Sequence, residues 1–256
     1  MSDTLIVIPA RIASTRLRGK MLANVGGKPL VIRTLESAIA ADVGDVVVAC
    51  DGLEIADAVR NVGGKAVLTH PDLPSGSDRV FAAWAKCDPG GKYRLVINFQ
   101  GDLPFVSPNF IRTACRAIKE ISCDIFTLAV PIRDNSHLRN SVIKPIISFL
   151  DNRERIGRAI YFSRSPVPSG GPFFNHVGIY CFWKESLRKF VQLRSSPLER
   201  SEKLEQLRAI ENGMTIGIAV VDDEPPISVD TEDDLVEARN YAAAYDKTAP
   251  NNFFTK

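Results

Sequence analysis

Unbroken apolar runs and helically spaced apolar positions alternate along the first half of this chain. Leu5-Ile6-Val7-Ile8-Pro9-Ala10 is a continuous apolar run with no polar face, the pattern of a strand covered on both sides in a parallel sheet. Asp45–Ala49, Ala66–Leu68, Leu95–Phe99 and Ile125–Val130 repeat the pattern. Between them, Pro29–Ala40, Leu53–Val62, Ser77–Lys86 and Pro108–Ile121 place apolar residues three and four apart, as helices with one buried face do. That βαβ rhythm predicts a mostly parallel sheet with right-handed crossovers.

After Pro131 the rhythm changes. Val142–Leu150, Arg158–Ser163 and His176–Trp183 read as antiparallel strands, and Ser165–Pro172 (SPVPSGGP) as a turning loop. Helices are predicted over Glu185–Gln192 and Glu199–Asn212, the latter capped by Gly213, then a strand over Thr215–Val221 and a helix over Asp233–Tyr245. The expected architecture is one domain over residues 1–256, with a β-rich lobe at roughly 131–184 and a loose tail from roughly 246 to 256.

Composition narrows the class. The chain has 256 residues, 45% apolar and 24% charged, with a net charge of +2, as in ordinary globular proteins. Neither a basic tail nor a long block of like charge is present, which argues against nucleic-acid or membrane partners. No apolar stretch is long enough to cross a bilayer and the first residues lack a signal-peptide core, so a cytoplasmic location is expected. Five cysteines without CxxC spacing fit reduced thiols, and three histidines make no zinc-finger pattern.

The candidate chemistry lies where strands end. The first strand runs into a loop carrying Arg11, Ser14, Arg16, Arg18 and Lys20 with no acidic residue before Lys28. Ligands bind at strand carboxyl ends in open α/β sheets, and cations gathered there suit an anion such as a polyphosphate. A solvated basic loop is the plain alternative. Gln100-Gly101-Asp102 follows the fourth strand; its carboxylate suits Mg²⁺, which takes one or two carboxylates plus phosphate oxygens, or it simply makes a turn. Val229-Asp230-Thr231 precedes a helix and reads either as a second metal carboxylate or as an N-cap. Ser75-Gly76-Ser77-Asp78-Arg79 can face a nucleotide, with Ser77 otherwise an N-cap. His176 reads equally as a core histidine, and Glu205 and Gln206 as solvated helix positions. Neither G-x-G-x-x-G after the first strand nor G-x-x-x-x-G-K-[ST] occurs, which removes dinucleotide-binding and P-loop readings.

Taken together, IPARIASTRLRGK (8–20), GGKPL (26–30), SGSDR (75–79), QGDLP (100–104), LAVPI (128–132), YFSR (161–164), HVGIY (176–180), SPLERSEKLEQLR (196–208) and VDTEDDL (229–235) resemble the CMP-Kdo synthetases, the 3-deoxy-manno-octulosonate cytidylyltransferases of lipopolysaccharide synthesis. The resemblance implies a Rossmann-like nucleotidyltransferase fold: a mostly parallel central sheet, helices on both faces, and an inserted β-rich lobe. It also implies a homodimer and the Mg²⁺-dependent reaction CTP + Kdo → CMP-Kdo + diphosphate. By motif position, Arg11, Ser14, Arg16 and Lys20 would grip the triphosphate, with Arg79 and Gln100 around the cytidine and phosphates. Asp102 and Asp230 would hold Mg²⁺, and Arg164, His176, Tyr180, Glu205 and Gln206 would line the sugar pocket. Arg16, Lys20, Asp102 and Asp230 are the implied catalytic set. Other expectations are the same chemistry on another acidic sugar, such as sialic acid or an amino-Kdo, and a nucleotide-binding scaffold with a decayed site. Arg18, Met21 and Leu103 stand where the family usually has proline, proline and glutamate, and the loop 167–172 is shorter and less charged than usual.

Overall fold

The structure is a computed structural model describing residues 2–13, 17–150, 155–224 and 226–246. These form two compact units, one from the residues up to Ile111 and from Pro226 onward, the other from the residues between.

The first unit starts with β1 (Thr4–Ala10), buried at every position. A 3₁₀ turn at Lys20–Leu22 follows, entered through Gly19 at φ +69°. Then come a two-stranded ribbon, β2 (Asn24–Val25) with β3 (Lys28–Pro29), and the helix α1 (Leu30–Ala40). The chain continues through β4 (Asp45–Cys50), α2 (Leu53–Asn61), β5 (Ala66–Leu68), α3 (Gly76–Cys87) and β6 (Leu95–Phe99). β1 pairs in parallel with β4 and β6, and β4 with β5, giving the order β5-β4-β1-β6. All four strands therefore present their carboxyl ends at the same edge, where Arg11, Asp51 and Gln100 emerge. The parallel sheet read from the sequence is present, and β5 and β6 begin and end at the residues expected.

The helix α4 (Pro108–Glu120) leads into the second unit, which holds β7 (Ile125–Pro131), β8 (Lys144–Phe149), β9 (Ile156–Ser163) and β10 (Phe174–Trp183). Then follow α5 (Lys184–Gln192), α6 (Pro197–Glu202), α7 (Leu207–Glu211) and β11 (Ile216–Val220). β7 lies between β10, antiparallel, and β11, parallel; β9 joins β11 and β8 joins β9, both antiparallel. The strands of the β-rich stretch thus hydrogen-bond into this unit's mixed sheet.

One predicted helix divides. The segment read as a single helix over 199–212 is α6 and α7, separated by Lys203 in the left-handed region at φ +56°. Ser196 opens α6 with a reciprocal capping box to Glu199, so the start is encoded locally, whereas the break is not.

The chain returns to the first unit through α8 (Glu232–Tyr245). Val229, Leu235, Ala238 and Ala242 pack with Val25 and Leu30 in one buried cluster. Buried Arg33 of α1 fastens the end of α8 through two 2.6 Å bonds to Asp246.

Candidate active site

Three segments far apart in sequence converge on the Lys20 ammonium. Nζ donates to Asp102 Oδ2 at 2.8 Å, Asp230 Oδ1 at 3.0 Å and the Val229 carbonyl at 2.9 Å. Lys20 is 7% exposed. Burial works against its charge, but the carboxylates of Asp102 and then Asp230 outweigh burial and hold the ammonium above the usual lysine value. Lys20 is therefore a cation at neutral pH.

Local chemistry explains why the carboxylates point inward. Asp102 follows Gly101, where a Cβ would stand 2.6 Å from the Pro9 carbonyl oxygen, so only glycine lets the end of β6 pass this close to the end of β1. Thr34 Oγ1 of α1 donates to the Gly101 carbonyl at 2.9 Å, and the Val229 amide donates to the Asp102 carbonyl at 2.9 Å. The two acidic segments are thus tied together through the backbone. Asp230 is also relieved of capping: Thr231 is the N-cap of α8, and Asp234 Oδ2 accepts from the Asp230 and Thr231 amides at 2.9 and 2.8 Å. Thr231, not Asp230, caps α8, whereas Asp102 does lie in the turn that follows β6; both carboxylates meet the ammonium.

Arg11, Lys20, Met21, Arg79, Gln100, Asp102 and Asp230 line one cavity of about 180 Å³, together with Pro9, Gly76 and Gly101. Ser14 and Arg16 lie outside the described residues. Arg18 is exposed and does not line the cavity, as expected of a residue standing where proline is usual. Leu103 is 5% exposed and does not line the cavity.

Arg79 is fully buried and largely committed to protein partners. Its Nη1 donates to Thr69 Oγ1 at 2.5 Å, and its Nη2 reaches the Pro71 carbonyl at 3.3 Å and Asp51 Oδ2 at 3.4 Å. Its Nε has no protein partner, a buried donor available to a bound group. Asp51 also accepts the Ile12 amide at 2.9 Å and so fixes the start of the basic loop. The sequence reading missed Asp51, although its place just after a buried strand is the signal that marked Asp102. Ser77 is not the N-cap of α3; Ser75 is, accepting from the Asp78 amide, while buried Ser77 accepts from Asn98 Nδ2. Asn98 in turn accepts from Gln100 Nε2 at 3.0 Å, which sets the direction of that side chain.

The residues assigned to the sugar lie in the second unit. His176 Nε2 is 2.9 Å from Thr127 Oγ1. The Thr127 hydroxyl has a better acceptor, the Ile179 carbonyl at 2.8 Å, so it gives its proton there and accepts from His176. That assignment places the imidazole proton on Nε2 and leaves Nδ1 as an acceptor. Burial pushes the His176 pKa down to about 3, so the ring is neutral. The core-histidine reading and a hydrogen-bonding role are both compatible with this geometry. The His176 and Tyr180 rings are 5.2 Å apart, and burial, then the Glu205 carboxylate, push the Tyr180 phenol up. Gln206 is 5% exposed rather than solvated, and its Nε2 has no protein partner. Leaving such a buried donor unpaired costs about 1–3 kcal/mol, which a bound acceptor offsets.

Among the described residues no cluster of three or more His, Cys, Asp or Glu side chains could hold a metal by itself. Two carboxylates at one point do fit Mg²⁺, whose other ligands are phosphate oxygens and water. No helix of the described residues is long and apolar enough to cross a membrane.

Comparison with known proteins identifies the family. The cytidylyltransferase family model matches residues 5–216. The 3-deoxy-manno-octulosonate cytidylyltransferase of Parvibaculum lavamentivorans is 51% identical over 237 residues, covering 92% of this chain and 91% of the relative. That of Azorhizobium caulinodans is 45% identical over 246 residues, covering 96% and 98%. A solved structure of CMP:2-keto-3-deoxy-manno-octonic acid synthetase complexed with CTP superimposes with a TM-score of 0.85 at 33% identity, covering 95% of this chain and 99% of that one. With buried Lys20 meeting paired carboxylates in an α/β sheet, and with these relatives matched over nearly their full length, the chain belongs to the cytidylyltransferase family, among the 3-deoxy-manno-octulosonate cytidylyltransferases.

Proposed function

We propose that this protein transfers CMP from CTP to Kdo, giving CMP-Kdo and diphosphate. The observation that carries the reading is the meeting of Lys20 with Asp102 and Asp230 at the carboxyl ends of the parallel strands. A triphosphate needs cations for its oxygens, and its metal needs carboxylates; this point offers both. Relatives named for Kdo at 45–51% identity favour that acceptor over another acidic sugar, and the intact cation–carboxylate set speaks against a decayed scaffold.

In this reading Arg11 and Lys20, with Ser14 and Arg16 of the same loop, bind the triphosphate, and Arg79 and Gln100 face the nucleotide from the same cavity. Asp102 and Asp230 would hold Mg²⁺, which when bound would neutralise phosphate charge. The anomeric hydroxyl of Kdo forms a bond to the α-phosphorus while the bond to diphosphate breaks in line, and the hydroxyl proton leaves to solvent or a phosphate oxygen. Lys20, charged throughout, stabilises the charge gathering on the leaving diphosphate. Arg164 binds the carboxylate of the sugar acid, and neutral His176, Tyr180, Glu205 and Gln206 hydrogen-bond its hydroxyls. Catalysis is then positioning and charge neutralisation without a covalent protein nucleophile. The homodimeric state belongs to the same reading and rests on the family resemblance; light scattering on the purified protein tests it.

Diphosphate release is measured with CTP, Mg²⁺ and a panel of acidic sugars. Release with Kdo, and its loss in folded Asp102→Asn and Asp230→Asn variants, is the expected result. Near-normal turnover in either variant would overturn the metal assignment, and preference for another sugar would overturn the choice of acceptor.

A further inference from the structure

Resting on the Kdo reading, we propose that Glu202 is a positioning residue for the acceptor: with Lys144 it fixes Arg164 so that the guanidinium, in a cluster with a surplus of positive charge, is presented to the sugar-acid carboxylate.

Glu202 is the last residue of α6, and the left-handed Lys203 behind it turns the chain. The Glu202 carboxylate is thereby carried onto the end of β9. Oε1 accepts from the Ser163 hydroxyl at 2.8 Å and the Tyr161 phenol at 3.3 Å, and Oε2 accepts the Arg164 amide at 3.0 Å. Burial works against the ionised carboxyl, but the Arg164 amide and the two hydroxyls prevail and keep its pKa below the usual glutamate value. The Arg164 guanidinium avoids this carboxylate. Its Nε donates to the Glu202 main-chain carbonyl at 2.9 Å, and its Nη1 to the Asn140 carbonyl at 3.0 Å.

Lys144 completes the arrangement from the other side. Its side chain is fully buried, and Nζ donates to the carbonyls of Arg164, Val142 (2.7 Å) and Arg139 (3.1 Å). Arg164 is therefore held at its amide, its carbonyl, Nε and Nη1, while Nη2 donates to none of the described residues. A residue serving only to anchor a strand end would need none of the guanidinium contacts.

The charge count gives the arrangement its sense. Lys144 and Arg164 are two cations, and Glu202 is the one carboxylate among their hydrogen-bond partners. Glu202 spends both carboxylate oxygens on an amide and two hydroxyls, so the Arg164 charge acts on it through space while the carboxylate's hydrogen bonds go elsewhere. The surplus positive charge suits an acceptor that carries a carboxylate. The backbone links this cluster to the other sugar-side residues: the His176 amide donates to the Ile143 carbonyl at 2.9 Å, next to Lys144, and Glu205 and Gln206 follow three and four residues after Glu202.

Steady-state kinetics of Glu202→Ala and Glu202→Gln decide the matter, with thermal melts as the check on folding. Displacing a binding group by an ångström costs up to about a hundredfold. In Glu202→Ala the KM for Kdo should rise about tenfold or more, with the KM for CTP within about twofold and kcat within about threefold. Glu202→Gln keeps an oxygen for the Arg164 amide and should recover part of the loss. An unchanged KM for Kdo in Glu202→Ala, or an equal rise in both KM values, would overturn the proposal; if the alanine variant does not fold, the glutamine variant is judged by the same criteria. Wild-type protein that turns over another acidic sugar but not Kdo refutes the choice of acceptor instead, and the same KM comparison with that sugar still judges Glu202.

Discussion

Replacing Lys20 by Met keeps the aliphatic stem and deletes the ammonium that joins Asp102, Asp230 and the Val229 carbonyl. Two carboxylates are then left directed at one point with nothing between them. Breaking a fully buried ion pair by removing one partner costs about 3–5 kcal/mol. Here the Asp102 and Asp230 side chains are 23% and 32% exposed, so water reaches them and the cost falls to about 1–3 kcal/mol. In a chain of 256 residues each kcal/mol moves the melting temperature by about 2–4 °C, so Tm should drop by about 2–12 °C. Differential scanning fluorimetry measures this directly, and adding Mg²⁺ gives a second reading. With the ammonium gone, Mg²⁺ no longer competes with it for the two carboxylates and should raise the variant's Tm more than that of the wild type. The pH dependence has a definite sign. The folded pKa of Lys20 lies above its ordinary 10.5, so its stabilisation is fully present below that value and is lost as pH climbs through the raised folded value. The gap between variant and wild type should therefore stay constant from about pH 7 to 9.5 and close only in stronger alkali. A variant melting within about 1 °C of wild type, with no larger Mg²⁺ response, would refute the account of Lys20 as the cation joining the two carboxylates.

Three further outcomes follow from other contacts. Gly101→Ala forces a Cβ against the Pro9 carbonyl, and it should destabilise by about 1–3 kcal/mol in urea melts while lowering turnover, because Asp102 shifts with the strand end. Thr231→Ala removes half of the α8 capping box at a cost of about 1 kcal/mol and loosens Asp230, so CTP affinity read by isothermal titration should weaken as well. His176, lowered from 6.5 to about 3, contributes stability above pH 6.5 that is lost as the pH falls toward the folded value. His176→Asn should accordingly show a shallower acid loss of stability between pH 6.5 and 3.5 than wild type, and an unchanged slope would argue that this imidazole is not buried in its neutral form.

The parallel strands were legible because burial on both faces leaves a continuous apolar run, as at Leu5–Ala10 and Leu95–Phe99. The turn carrying Lys20 was not. It depends on a left-handed Gly19 and on carboxylates 82 and 210 positions away, which no local window contains. The break at Lys203 was hidden for a related reason. The 199–212 stretch has good helical spacing, and what competes with the helix is Glu202 reaching the end of β9, about forty residues earlier. Lys144 lay unremarked within the strand expected over Val142–Leu150; its three carbonyl partners come from loops whose path a sequence pattern does not give. Asp102 and Asp230 were legible as candidates by position, yet choosing between turn, cap and ligand needed Thr231 and Asp234 to be seen taking over the capping.

The first unit is discontinuous in the chain, and that sets an order of events during synthesis. Its sheet is complete by Phe99, but Val229, Leu235, Ala238 and Ala242, which close the cluster over Val25 and Leu30, emerge only after all of the second unit has been made. Asp230 arrives at the same late moment. A growing chain therefore carries a sheet with an uncovered apolar flank and a basic loop without its second carboxylate for more than a hundred residues of translation. Activity can appear only when the last helix docks, and a ribosome stalled before residue 229 would hold an intermediate with its strands paired and its chemistry absent.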